Sequence, residues 1–338
     1  MHHHRPLLSL IILSTVTTIA TFSLQQSSFA SPRPTLRPIA IAVSHRHVWL
    51  ADVDGNALTT FSTDVAVSEH RKTVTYHHLG LDGPDGIAYR GSYLWVANNN
   101  ANTVTQIAAK NAALVRVIGR GTNYFDAPQG IYVDGTHVWV LDSANAVTEL
   151  NANTGDLVRV IHSVILADPA GFAVSGKNIW VSSFQGNSVA EFSQSTGLLL
   201  RVIRGRDSGL DGPGAVVAQN SHLWVVNQNG GTVSELSAQS GALLRIIGRG
   251  HLTFPDGIAY SDHSILVADG DRDSILRIDS RNGAIQGVVG GSQYHFENPA
   301  SIATLGNHAW ILNVNSGAVT EINVLTGALV GVTTVPRH

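Results

Sequence analysis

The 338-residue chain contains no cysteine, so disulfides, thiol nucleophiles and thiolate metal sites are excluded. Charge is also scarce: Asp, Glu, Lys and Arg together make up 13% of the residues, with a formal net charge of −3. Nonspecific nucleic-acid binding needs a basic stripe, and this balance offers none. Helical periodicity is missing too. β-Branched residues dominate the apolar runs, and no segment sustains a 3.6-residue repeat. Apolar residues are plentiful at 43%, enough for a large core and too many for a disordered chain.

The N-terminus reads MHHHRPLLSLIILSTVTTIATFSLQQSSFASPRP. Arg5 precedes an apolar run from Leu7 to Phe22, and Ser28 and Ala30 place small residues at a cleavage position. This is the pattern of a secretory signal peptide cut after Ala30. The competing reading is an uncleaved anchor, but the run is short for a bilayer span of about 20 residues. Residues 1–30 are therefore set aside as a signal peptide and 31–37 as a short linker, leaving 38–338 as one domain. The expected location is secreted or otherwise extracytoplasmic, periplasmic or at the cell surface, with no membrane span after cleavage.

What the chain does have is repetition. VWVLDSANAVTELNANTGDLVRVI from Val138 is written again as LWVVNQNGGTVSELSAQSGALLRII from Leu223 and as AWILNVNSGAVTEINVLTGALVGV from Ala309. All six tryptophans, Trp49, Trp95, Trp139, Trp180, Trp224 and Trp310, fall on one beat, with Leu266 filling the gap. The steps are 46, 44, 41, 44, 42 and 44 residues. A period in the low forties built of short strands predicts a propeller, one repeat per blade. Seven beats predict an all-β, seven-bladed β-propeller with four-stranded antiparallel blades.

Within each repeat the first strand follows a proline, as in PDGIAY (84–89) and PQGIYV (128–133). The second carries the tryptophan and is apolar on both faces, as strands stacked between two blades must be. The third is VTEL-like and the fourth LVRVI-like, joined by pairs such as Thr154-Gly155 and Ser240-Gly241, where glycine supplies a positive φ. Glu149, Glu191 and Glu235 each precede an arginine, Arg159, Arg201 and Arg245, by 10 residues. The hairpin lies midway, so these are expected as exposed cross-strand pairs. Asp52, Asn98, Asp142, Asn227, Asp269 and Asn313 end the second strand, where turn chemistry accounts for them better than a ring of metal ligands does. The tryptophans are expected to be core, leaving none as a ligand platform.

The phrase LWVANNNANTVTQI (94–107), followed by GRGTNYFDAPQGIYVDG, resembles the YVTN-type repeat of secreted and surface propellers. It is also similar to the NHL repeat, in which PxGIAV precedes an apolar strand and Asp or Asn. The resemblance covers the chain from about Pro38 to Val332 and implies the fold, with roles as binding or scaffold modules. More distantly it implies kinship with streptogramin lyases and calcium-dependent lactonases of the gluconolactonase type, which would carry a metal or a His/Glu pair at the channel. The sequence departs from both patterns. His295-Phe296-Glu297 reverses the order of the lyase pair, and few carboxylates follow the blade-opening prolines. A calcium or magnesium ion on Asp85, Gln129 and Asp256 is the metal site the residues would allow, against the 6–8 oxygens a hard cation takes.

Residues that break the repeat are better site candidates than those that obey it. The loops from fourth to first strand vary most and should share one face with the channel mouth. They carry Tyr124, Asp126, Arg206, His251, Tyr294, His295 and Glu297, and Gln129 adjoins them. Aromatic side chains mixed with charge suit a binding surface. Phe125 and Phe296 could equally seal the ring from beneath, whereas His251 and His295 are expected to be exposed. The function expected is a monomeric, noncatalytic propeller binding a protein or small molecule through its loop face. The alternative is a metal-assisted hydrolase or lyase at the channel mouth.

Overall fold

A computed structural model describes residues 8–9, 22–23, 38–64 and 74–335. The chain forms seven four-stranded antiparallel sheets, each a meander of consecutive strands, arranged as a β-propeller. Blade 1 is Pro38–Val43, His47–Asp52, Ala57–Ser62 and Val74–Tyr76. Blade 2 is Pro84–Arg90, Tyr93–Asn98, Thr103–Ala108 and Ala113–Ile118. Blade 3 is Pro128–Asp134, His137–Asp142, Ala146–Asn151 and Leu157–His162. Blades 4, 5, 6 and 7 open at Pro169, Pro213, Pro255 and Pro299, and the last strand is Leu329–Thr333. Most of the expected signal peptide and all of the linker lie outside the described residues. Of residues 1–30 only Leu8–Ser9 and Phe22–Ser23 are described, as an antiparallel pair.

The tryptophan row is core. Trp95, Trp139, Trp180 and Trp224 are at most 1% exposed. They sit mid-strand between blades, as the two-sided apolarity of their strands requires. Each inner strand opens with the same irregularity. Pro84 pairs with Asn98 and Gly86 with Ala97, so Asp85 is the extra residue of a bulge, and blades 3, 4 and 7 repeat this at Pro128, Pro169 and Pro299. The glycine two places after the proline has its own cause. A Cβ on Gly86 would lie 2.6 Å from the carbonyl oxygen of Gln129, and one on Gly257 2.0 Å from that of Ala300. The PxG phrase is thus a bulge followed by a close approach between inner strands of consecutive blades.

The glutamate and arginine rows pair in the expected register, Glu149 with Arg159, Glu191 with Arg201 and Glu235 with Arg245. Their environment differs from expectation: the three glutamates are buried rather than exposed. The neighbouring blade covers them, which a pattern read within one repeat does not reveal. Among the described residues the ring closes without strand exchange. Ile41, Val48, Leu50 and Phe61 of blade 1 pack against Trp310, Leu312 and Val319 of blade 7.

Candidate functional site

In a meander, the turns from second to third strand and the loops from outer to next inner strand emerge at one end. The site candidates therefore share a face, and the strand-ending Asp and Asn residues anchor it. Thr148 Oγ1 donates to Asp142 Oδ2 (2.8 Å) and the Asp126 amide to Asp142 Oδ1 (3.4 Å). Asn227 repeats the bond with Ser234 (2.9 Å) and Asp211 (3.2 Å), and Asn313 with Thr320 (3.0 Å) and Glu297 (3.3 Å). Each side chain ties its own third strand to the incoming loop, a longer reach than the local turn role expected of it. In blade 1 the local role does hold, with the Gly55 amide donating to Asp52.

The loop phenylalanines seal the ring: Phe125 and Phe296 are buried, while His251 and His295 are exposed. Phe125 fills the space a side chain at Gly119 would occupy, and Gly119 itself has φ +91°. Tyr124 meets Phe125 edge-on at 6.4 Å. Tyr294 stacks on Phe296 at 5.5 Å, and its hydroxyl donates to the Gly327 carbonyl (3.0 Å). His295 ends a short 3₁₀ turn in the left-handed region, φ 52°. Arg206 opens the corresponding 3₁₀ turn, Arg206–Ser208, before blade 5.

The bulged residues Asp85, Gln129 and Asp256 are buried on inner strands of blades 2, 3 and 6. Blades 2 and 3 are adjacent and blade 6 lies across the ring. Asn99 Nδ2 donates to Asp85 Oδ2 (3.3 Å), Gln129 Nε2 to the Pro169 carbonyl (2.7 Å), and Gln228 Nε2 to Asp256 Oδ1 (2.7 Å). Burial holds the Asp256 carboxyl well above the usual carboxylate range, and Asp269 and Asp271 push it the same way. Among the described residues, no three His, Asp or Glu side chains converge as metal ligands. Blades 7 and 1 present an apolar side at the same level, where Ile39, Ala300 and Val314 cluster with Val53.

Two of the sequence candidates, Tyr124 and Asp126, share a cavity of about 340 Å³ where the loop from blade 2 enters blade 3. Asn102, Thr122, Asn123, Asp142 and His162 complete its polar lining. Burial raises the Asp142 carboxyl to about 8, with the Thr148 and Asp126 hydrogen bonds opposing the shift. Asp142 is therefore neutral around pH 7, beside an exposed carboxylate at Asp126. Such a lining can donate and accept hydrogen bonds and suits a neutral or cationic ligand. His251, Tyr294, His295 and Glu297 sit on other loops and do not line this cavity. Asp142 and His162 are the members the sequence candidates omitted. The signal for His162 was present: it ends an outer strand where Gly119, Gly248 and Gly290 follow the equivalent apolar residue.

No protein-family profile matches the chain, and no curated protein does. Solved structures do. A catalytically inactive variant of virginiamycin B lyase from Staphylococcus aureus, solved with quinupristin, superposes with TM-score 0.71 at 18% identity, over 87% of this chain and 97% of that one. A streptogramin B lyase structure gives TM-score 0.70 at 16% identity, over 90% and 97%. A computationally designed protein, Ika8, gives TM-score 0.66 at 13% identity, over 89% and 87%. A designed protein fits nearly as well as the lyases, so these likenesses report the shared fold.

Proposed function

We propose that this chain is an exported, noncatalytic β-propeller that binds a small polar or cationic ligand, or a protein presenting one, through its loop face. The observation that carries the reading is the cavity at blade 3. There Tyr124 and His162 flank an exposed Asp126 and a buried Asp142 whose carboxyl is raised to about 8. Aromatic side chains beside a few converging polar groups are the usual make-up of a recognition pocket. The resemblance to secreted YVTN and NHL repeats supports the same role.

The binding half is tested by screening cationic and neutral fragments against labelled protein by NMR. Hits are expected to shift Tyr124 and His162 and to vanish in Tyr124→Ala and Asp126→Asn. Hits that persist in both variants would sink the loop-face assignment. The noncatalytic half is tested with quinupristin, the compound bound in the lyase variant, and with calcium and magnesium. No turnover and no thermal shift are expected, and turnover of quinupristin would overturn the reading. Export is tested by N-terminal sequencing of the protein recovered outside the cytoplasm, with Ser31 expected first.

A further inference from the structure

At the opposite end of the strands, a charge set repeats from blade to blade. In blade 3, the buried Glu149 sits between Arg159, Nε to Oε2 2.6 Å, and His137, Nδ1 to Oε1 2.6 Å. In blade 4, Arg201 Nε and Asn178 Nδ2 (2.5 Å for the latter) both donate to Glu191. In blade 5, Glu235 sits between Arg245 (2.8 Å) and His222 (2.7 Å). In blades 3 and 4 the terminal nitrogens of the arginine are used elsewhere. Arg159 Nη1 donates to the Ser195 carbonyl (2.9 Å) and Arg201 Nη2 to that of Gln239 (2.8 Å), both on the hairpin of the following blade.

Blade 2 breaks the set. Its cross-strand row is Trp95, Gln106, Arg116, so a neutral amide stands where blades 3, 4 and 5 place a carboxylate. Tyr93 takes the position of His137 and His222. Arg116 keeps its reach to the next blade, with Nη1 donating to the Thr154 carbonyl and Nη2 to that of Asn153 (3.1 Å). Its Nε edge, which carries the glutamate in blades 3 and 4, has no carboxylate across from it in the sheet. Beside this row lies a cavity of about 360 Å³ lined by Arg90, Tyr93, Trp95, Gln106, Arg116 and Val133. Gln106 is 1% exposed and lines this cavity, yet its Oε1 has no hydrogen-bond partner. A buried, unpartnered amide calls for an explanation.

We propose that this cavity binds a small organic carboxylate. The anion lies in the cavity beside the Gln106 amide, accepting from the Arg116 Nε edge and from Gln106 Nε2. A half-turn of the Gln106 amide presents either nitrogen or oxygen to the cavity, and only the nitrogen suits an anion. The planar guanidinium edge matches a planar carboxylate. Arg90, paired with Asp134 at 3.5 Å, stands on the rim of the entrance. Tyr93 and Val133 receive the apolar body of the ligand. A glutamate at 106 would neutralise Arg116 from within the sheet, as it does in blades 3, 4 and 5.

Benzoate is the probe, measured by calorimetry on the purified protein, with acetate as competitor. Saturable benzoate binding at millimolar concentrations is expected, displaced by acetate. Gln106→Glu supplies the internal carboxylate and is expected to weaken benzoate about tenfold or more, with an unchanged or higher melting temperature. Gln106→Leu, which removes the amide without adding charge, is expected to weaken it as well. Tyr124→Ala, on the other face, leaves it unchanged. Absence of saturable benzoate binding overturns the proposal, and so does equal affinity in both Gln106 variants. Displacement by chloride as effective as by acetate also overturns it, reducing the cavity to a general anion site.

Discussion

Asp142 shows how one side chain serves both the fold and the candidate site. It ends the second strand of blade 3 and holds the incoming loop through the Asp126 amide. Its carboxyl is raised to about 8, so the folded state keeps a proton that the unfolded chain releases near pH 4. Its stabilising contribution is complete below that unfolded value and is lost as pH rises towards 8. Blades 2, 5 and 7 carry Asn98, Asn227 and Asn313 at this position. Asp142→Asn should therefore leave stability near pH 4 unchanged, raise it near pH 8, and flatten the slope between. Urea unfolding across that range measures it, and an equally steep slope in the variant would contradict the assignment. The tryptophan and arginine rows give a second prediction. Trp139→Ala should cost about 3–5 kcal/mol, as large core truncations do. Arg201→Ala should cost about 1–3 kcal/mol, more than an exposed pair would, because Glu191 is left buried with Asn178 as its remaining donor in the set. Denaturant midpoints that ranked the two the other way would remove the core role of the tryptophan row.

At the scale of the element, the third-to-outer hairpin does more than turn the chain. Its glycine lies under the arginine of the preceding blade. Gly241 has φ +76°, and a Cβ there would sit 3.1 Å from Ile203 and 3.3 Å from Arg201. Gly176, in the inner-to-second turn of blade 4, has φ +61° with open space around it. Both positions disfavour a side chain through φ by about 1–2 kcal/mol, and only Gly241 adds a tight contact between blades. Gly241→Ala should thus lower stability by more than Gly176→Ala in parallel thermal melts. Equal losses would mean that the hairpin does not bear on its neighbour. The sequence gives the hairpin glycine a reason in φ alone. The second reason comes from a residue about 40 positions earlier, whose side chain no spacing rule places there.

Across the whole molecule, the arginines stitch consecutive blades. Arg116, Arg159 and Arg201 donate to hairpin carbonyls of blades 3, 4 and 5. In blade 6 the row is transposed: Arg277 stands on the third strand opposite Gly287 and donates to the Val324 carbonyl of blade 7 (3.0 Å). Blade 7 has Gly331 opposite Glu321, and blade 1 has Val74 opposite Thr60. Among the described residues, the joints from blade 7 to 1 and from 1 to 2 therefore lack this row's arginine. Face-to-face packing of Trp310, Leu312 and Phe61 closes the ring without a shared strand. Amides of blade 1 or blade 7 should exchange before those of blades 3 to 5 in native-state hydrogen exchange. Uniform protection around the ring would argue against a weak seam.

The sequence alone determined the number of blades, their strand order, the tryptophan core and the register of Glu149 with Arg159. The period encodes the blade count, the two-sided apolarity of the second strand encodes the tryptophan core, and strand alternation encodes the register within a repeat. It also placed Tyr124 and Asp126 on the loop face, since a meander brings alternate turns to one end. Only the tertiary structure decided that the glutamates are buried, that Asp85, Gln129 and Asp256 are bulged residues, and that Asp142 and His162 share a cavity with Tyr124. It alone showed that Gln106 and Arg116 border one cavity. Burial, cavity shape and the proton on Asp142 depend on what the next blade lays against a side chain. That neighbour lies a full repeat away, at a distance and angle set by the closing of the ring.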